Sequence, residues 1–401
     1  MTRFIRSLVW FPALFVLSIA AATQGQGLAP WLGPQRILVL PMSWADAPPT
    51  KTEAEIEKVL FEDNGPSLRR YFLENSMGAF APTGRVLKWK QAAAKWSPET
   101  GCNPRAIARM AWELFKAEVN IRDYDSNGDG KIDHLFVLHS ARIPHDRVGP
   151  DCVFGSSAQA NQTAVFQTDG VGSIGNGLAI GFYIHEGGHE FYDFPDLYGS
   201  HYYGKYGIGM WGMMGLGCWG VANDIPREQI FRVPAHFEPL SKVRMGWVKP
   251  AIISQTTRSI RLRPVELTGE LVKIPIGTRG SAYYLEYRAP KGFSAGHKGH
   301  GLLIWKDFEI IQADGRNDLN NGNSLGKRPL PPIGENFGDG SDPFPGSLGV
   351  TRFEDKTAGV AIENITRTGE FVSFDVVVKP GLMEPEVARP WYEVYSPRAP
   401  H

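Results

Sequence analysis

Three residues able to do chemistry fall within five positions: His185, Glu186 and His189, in the stretch IHEGGHEF at 184–191. On a helix, residues four apart share a face, so both imidazoles can reach one metal ion. Glu186 sits beside them, placed to take a proton from a water activated by that ion. Neutral imidazoles suit a borderline-soft cation such as Zn²⁺. Three fixed residues in five are a sparse pattern, and two histidines also occur as ordinary core or surface groups. Two features favour metal. Glycine costs a helix interior about 1 kcal/mol relative to alanine, so Gly187 and Gly188 answer to something other than helix propensity. Acidic residues also follow closely, able to complete a metal shell.

A second constellation lies upstream. Asp125, Asn127, Asp129 and Asp133 place side-chain oxygens at positions 1, 3, 5 and 9 of an EF-hand-like loop. Gly130 falls at position 6 and the Lys131 carbonyl at position 7. Position 12 is Phe136, so the closing acid is missing, and a strand follows where an EF-hand has a helix. The pattern predicts an isolated structural Ca²⁺ loop, with a solvated Asp/Asn/Gly turn as the plain alternative. A second acidic stretch at 314–342, with Asp314, Asp318, Asn320, Asp339 and Asp342, is a weaker calcium candidate.

These residues need elements to hold them. The spacing predicts a helix over 178–191, with Leu178 and Phe182 continuing the His185 face toward the buried side. RILVLPM at 36–42 reads as an apolar strand, 53–60 and 66–76 as helices, and 80–92 as extended. Residues 104–119 carry apolar residues at helical spacing behind Pro104, which suits a first turn. The acidic loop leads into the strand LFVLHS, and 144–177 reads as a long polar, Gly-rich connection. From about 250 the chain becomes short alternating or apolar runs between turns: RSIRLRPV, ELVKIPI, AYYLEYRA, GLLIWKDF, VAIENITR and FVSFDVVVK. That predicts a β-rich C-terminal region. The expected class is α+β.

Composition sets the frame. The chain has 401 residues, 42% of them hydrophobic and 11% aromatic, which excludes a disordered protein. Its 45 Gly and 30 Pro suit a loop-rich or β-rich enzyme. Forty-two basic residues against 42 acidic ones give no support to nucleic-acid binding. Arg3 and Arg6 precede an apolar run from Leu8 to Ala22 that ends in Ala20-Ala21-Ala22, the pattern of a secretory signal peptide over 1–22. That run is short for a bilayer span and contains Pro12, so no stable membrane anchor is expected. The mature chain would carry 40 basic and 42 acidic residues, net −2. Of the three cysteines, Cys102 and Cys152 are expected to pair, leaving Cys218 buried. Asn161 and Asn364 head N-glycosylation sequons.

The motif's surroundings carry a resemblance. HEGGHEFYDFPDLYG at 185–199 resembles the HExxH…PDLY segment of the immune inhibitor A family of secreted zinc metallopeptidases. RILVLPMSWAD, SLRRYFLENSMGAFAPTGRVLKW and DSNGDGKIDHLFVLHSA resemble that family's opening strand, its following stretch and its Asp-rich loop. MWGMMGLGCWG at 210–220, PAHFEPLSKVRMGWVKP at 234–250, YYLEYRAPKGF, GHGLLIWKD and DPFPG continue the likeness, which covers about residues 36–378. It implies a zincin-type fold, metzincin-like, with a twisted sheet and an active-site helix. It further implies a catalytic domain over 31–250, a β-rich subdomain over 251–380 and a Pro-rich tail over 381–401.

By the resemblance, His185, His189 and Asp196 hold zinc, with Asp193 the rival third ligand and His201 a more distant possibility. Met214 stands at the family's Met-turn, with Met213 next. One feature departs from the family pattern. HEFYDFPD has one extra residue, and Tyr192 or Asp193 stands where a glycine usually makes the left-handed helix exit. The exit is therefore expected to be built differently. The implied activity is that of a secreted, monomeric zinc endopeptidase acting on protein or peptide substrates, with Glu186 as general base. The alternative is a catalytically silent, calcium-dependent extracellular binding protein on the same scaffold. The strand at residue 36 follows soon after the expected cleavage point, leaving little room for an inhibitory propeptide.

Overall fold

The computed structural model describes residues 30–97, 103–140, 163–167, 178–197, 207–220, 232–277, 280–319 and 338–379. The expected signal segment, Cys102, Cys152, Asn161, His201, Asn320 and the tail lie outside the described residues. Among the described residues the chain is a mixed α/β protein with three sheets and few helices, compatible with an α+β class.

The first sheet runs β2–β1–β4–β5, with β3 also pairing with β1, and every pairing in it is parallel. Its strands are β1 (Gly33–Ser43), β2 (Phe80–Val86), β3 (Lys90–Gln91), β4 (His134–His139) and β5 (Thr163–Gln167). Strand β1 is covered on both faces, which is why its sequence is a continuous apolar run. Ile37 and Val39 face one core with Phe136 and Leu138. Leu38, Leu40 and Met42 face another with Leu135 and Val137.

Helices close both sides. Helix α3 (Pro104–Phe115) brings Ile107, Ala111 and Phe115 to the second core. Asn103 caps it, accepting from the Ala106 amide, and Pro104 occupies its first turn. The opposite side takes α1 (Glu53–Phe61), α2 (Leu68–Asn75) and α4 (Ile180–Tyr192). Thr52 and Glu55 form a reciprocal capping box on α1, and Ser67 caps α2. Helix α4 lies under β4 and β5, with Tyr183 against Phe166 and Phe191 stacked on Phe136.

Two more helices follow, α5 (Pro239–Arg244) and α6 (Val265–Thr268). The C-terminal region is a sandwich. One sheet runs β11–β10–β9–β8–β6, built from β6 (Ala251–Ile252), β8 (Val272–Pro275), β9 (Ala282–Arg288), β10 (Gly301–Lys306) and β11 (Glu309–Ile311). The other runs β12–β13–β14–β7, built from β7 (Thr257–Leu262), β12 (Phe353–Asp355), β13 (Val360–Arg367) and β14 (Val372–Val378).

Strand β9 is buried on both faces. Tyr283, Leu285 and Tyr287 meet the outer sheet's Ile362, Phe374 and Val376. Ala282 and Tyr284 instead join the core that contains α2 and α4. That core thus runs across the boundary near residue 250. No helix among the described residues is long and apolar enough to cross a membrane.

Candidate metal centre

Helix α4 presents His185 and His189 one turn apart, and the chain returns to bring Asp196 against both. His185 Nε2 stands 3.1 Å from Asp196 Oδ1, and His189 Nε2 stands 3.3 Å from the same oxygen. The two Nε2 atoms are 3.3 Å apart. Among the described residues this is the group of three or more His, Cys, Asp or Glu side chains close enough to share an ion.

The far side of each ring is fixed. His185 Nδ1 donates to the Met213 carbonyl at 3.0 Å, and His189 Nδ1 donates to the Phe194 carbonyl at 2.6 Å. A carbonyl can only accept, so the proton of each neutral ring is on Nδ1 and the Nε2 lone pairs point at each other and at Asp196. Two lone pairs and a carboxylate converging at this distance call for a cation, either a proton or a metal ion. Zinc ligands at about 2.0–2.1 Å in tetrahedral array stand about 3.3 Å from one another. The three separations here match one face of such a tetrahedron.

Charge at the centre follows from the same contacts. Burial works against a charged His189, but the hydrogen bond and charge of Asp196 outweigh it and push the ring up to about 9. Burial also opposes the Asp196 charge, and the two histidines overcome it, holding the carboxyl below its usual range. Glu186 is half-buried beside this group. Burial lifts it to about 8, partly offset by His189.

The exit from α4 differs from the expectation. The left-handed turn is present, made by Asp193 at φ 53° and ψ 39°. Its amide donates to the His189 carbonyl at 3.1 Å, and the Phe194 amide donates to the Gly188 carbonyl at 3.1 Å. Aspartate tolerates this conformation better than most residues, so the glycine is replaced without a new route for the chain. Asp193 is exposed on this turn, apart from the histidine–Asp196 group, and Asp196 is the acid the exit carries inward.

Met214 is fully buried under α4, and the Leu197 amide donates to its carbonyl at 2.8 Å. The turn that contains Met213 and Met214 therefore touches the centre twice, through His185 and through the segment bearing Asp196. Phe182 packs on Phe166 of the sheet, and Leu178 precedes the helix.

In the Asp-rich loop, Asp125 accepts from the amides of Gly128, Asp129 and Gly130 at 2.7–3.0 Å. Asn127 accepts from the Asp129 amide, and Asp129 from that of Lys131. Asp133 accepts from the amide and hydroxyl of Ser126, and burial raises its pKa. Gly128 and Gly130 take φ of 75° and 83°, as the tight loop requires. The carboxylates of Asp125, Asp129 and Asp133 turn toward backbone amides and do not converge as the two histidines and Asp196 do. In the second acidic stretch, Asp314 and Asp339 meet at the Ser341 hydroxyl. Asp342 accepts from the Asp339 amide and Trp211 Nε1, and burial lifts it to about 6. Cys218 is buried, as expected.

Residues that spacing did not single out surround the centre: the Met213 and Phe194 carbonyls and, behind them, Glu74, His236 and Lys242. The first two are backbone groups, which side-chain types do not signal. Comparison with protein-family models gives no match for this chain, and comparison with curated proteins gives none.

Proposed function

We propose that the chain is a secreted zinc endopeptidase on a zincin-type scaffold. The observation that carries this is the triangle of His185 Nε2, His189 Nε2 and Asp196 Oδ1, with edges of 3.1–3.3 Å and both Nδ1 atoms tied to backbone carbonyls. Its size and donor set fit zinc. Three protein ligands also match the count in catalytic sites, which keep one position open.

A zinc ion held there supplies a Lewis acid that polarises a peptide carbonyl and acidifies water. The chain's own residues do the rest. His185 and His189 keep their ring orientation through Met213 and Phe194. Glu186 accepts the proton of the attacking water on its carboxylate, then delivers it to the leaving amine nitrogen. A cation beside Glu186 favours its ionised, base-competent form. Secretion is supported by the basic n-region and apolar run of residues 1–22. We further propose that the loop at 125–133 takes calcium in a structural role, through Asp125, Asn127, Asp129, the Lys131 carbonyl and Asp133.

Casein hydrolysis by the purified mature chain tests the activity. Cleavage that stops in a zinc chelator and returns with zinc is expected. A chain that holds one zinc yet cleaves no protein or peptide would instead fit a binding protein.

A further inference from the structure

Behind the centre, the segment 235–237 links α2 to the Met213–Gly217 turn. Helix α2 holds it with three side chains. Tyr71 Oη donates to the Ala235 carbonyl at 2.7 Å, the His236 ring meets Glu74 Oε1 at 2.6 Å, and the Phe237 amide donates to Asn75 Oδ1 at 2.9 Å. The segment in turn holds the Met turn. The Ala235 amide donates to the Gly217 carbonyl at 2.8 Å, and the Met213 amide donates to the His236 carbonyl at 3.0 Å. Met213 is the residue whose carbonyl accepts from His185.

His236 is fully buried and its tautomer is determined. Lys242 Nζ stands 2.9 Å from Nδ1, and an ammonium can only donate, so Nδ1 accepts. Nε2 therefore carries the proton and donates to Glu74. Burial, reinforced by the Lys242 charge, keeps the ring neutral. The same Glu74 oxygen accepts the Phe293 amide at 2.8 Å from the C-terminal region. A Cβ on Gly292 would stand 2.2 Å from that oxygen, so the loop closes directly over the carboxylate. From β9, Arg288 pairs with Glu286 and donates to the Phe237 carbonyl at 3.3 Å.

We infer that His236, clamped between Glu74 and Lys242, is a positioning residue of the metal centre, fixing the Met213 carbonyl that orients His185. This deepens the reading of the site given above and rests on it. It also gives the PAHFEPLSK stretch and the LENSMG stretch, 162 residues apart at Glu74 and His236, a shared purpose.

The test uses the full mature chain and three variants: His236→Phe, Glu74→Gln and, as a stability control in the distant outer sheet, Ile362→Val. Zinc affinity is read by chelator competition, and ligand geometry by the visible absorption of the Co²⁺-substituted protein. His236→Phe is expected to weaken zinc about tenfold or more, the range for residues that orient a ligand, and to shift the cobalt bands. Glu74→Gln keeps an acceptor oxygen for His236 and Phe293, so both readouts stay near wild type. Ile362→Val unfolds more easily but leaves both unchanged. Should His236→Phe fail to fold, Lys242→Met removes the donor to Nδ1 and is read the same way. Wild-type zinc affinity and cobalt spectrum in the folded variant would overturn the positioning role and leave the metal site standing. A wild-type chain that takes up neither metal would overturn both.

Discussion

Gly188 and Met214 pack so closely that a side chain at position 188 would have to displace the Met214 thioether. A Cβ there would stand 2.9 Å from Met214 Sδ and 3.4 Å from the Phe194 ring. This explains a glycine that helix propensity disfavours: it lets α4 sit directly on the turn that holds His185. Gly187 differs, since a Cβ there would meet only the Phe191 ring, at 3.3 Å. Gly188→Ala is expected to destabilise the protein by about 1–3 kcal/mol through overpacking. Gly187→Ala is expected to be neutral or to stabilise by up to about 1 kcal/mol through helix propensity. Urea unfolding of the two variants checks the contrast, and equal effects would contradict it.

Asp193 and Asp196 have different work in the structure, and substitution separates them. Asp193→Gly relieves a left-handed residue and is expected to retain zinc, with stability unchanged or raised by up to about 1 kcal/mol. Asp196→Ala removes the shared oxygen between the histidines and is expected to lose zinc in chelator competition. Zinc retained by Asp196→Ala and lost by Asp193→Gly would reverse the assignment.

The Asp-rich loop gives a prediction independent of zinc. Calcium at 100 times its dissociation constant stabilises a protein that binds it by about 2.7 kcal/mol. The Tm of the wild-type chain is expected to rise with calcium, and that of Asp125→Ala to stay flat. Asp125 is the test residue because it accepts from three amides of the loop. A calcium response that survives Asp125→Ala would place the ion elsewhere.

Acid sensitivity is expected from the C-terminal sandwich. Asp355 feels burial, which raises its pKa, but the Tyr283 hydroxyl at 2.7 Å, the Ala358 amide and Lys306 outweigh that and hold it at about 2. A lowered carboxyl stabilises the folded state above the unfolded value of about 4. The contribution fades as pH falls from about 4 to 2. After solvent screening it amounts to about 1 kcal/mol. Asp355→Asn should therefore be less stable than wild type at pH 7, and the gap should close near pH 2. A gap that persists in acid would rule out the carboxylate as its source.

Much of the fold was legible because period and burial agree. The apolar run of β1, the helical spacing behind Pro104 and the alternating C-terminal segments all became the elements expected of them. Strand β5 was not legible. Its five residues, TAVFQ, are short and sit within a polar, Gly-rich stretch. In the centre, the i, i+4 spacing of His185 and His189 was legible because a helix enforces it. The turn at Asp193 was only partly legible, because the extra residue left both Tyr192 and Asp193 in the place of the usual glycine. The Glu74–His236–Lys242 cluster was hidden for another reason: its members come from separate helices and a loop, and only tertiary packing brings them together. Glu286 and Arg288 belong to the same buried layer, where β9 faces the first layer.

If Glu186 is the base of a zinc-dependent peptide hydrolysis, its loss slows cleavage without loss of the metal. The most direct measurement is casein hydrolysis by wild type and Glu186→Gln, each with its zinc content determined on the same sample. The expected result is one zinc per chain in both, with the rate of Glu186→Gln lower by about 10²–10⁴-fold, the usual worth of a general base. A Glu186→Gln chain that holds zinc and cleaves casein at the wild-type rate would exclude Glu186 as the base.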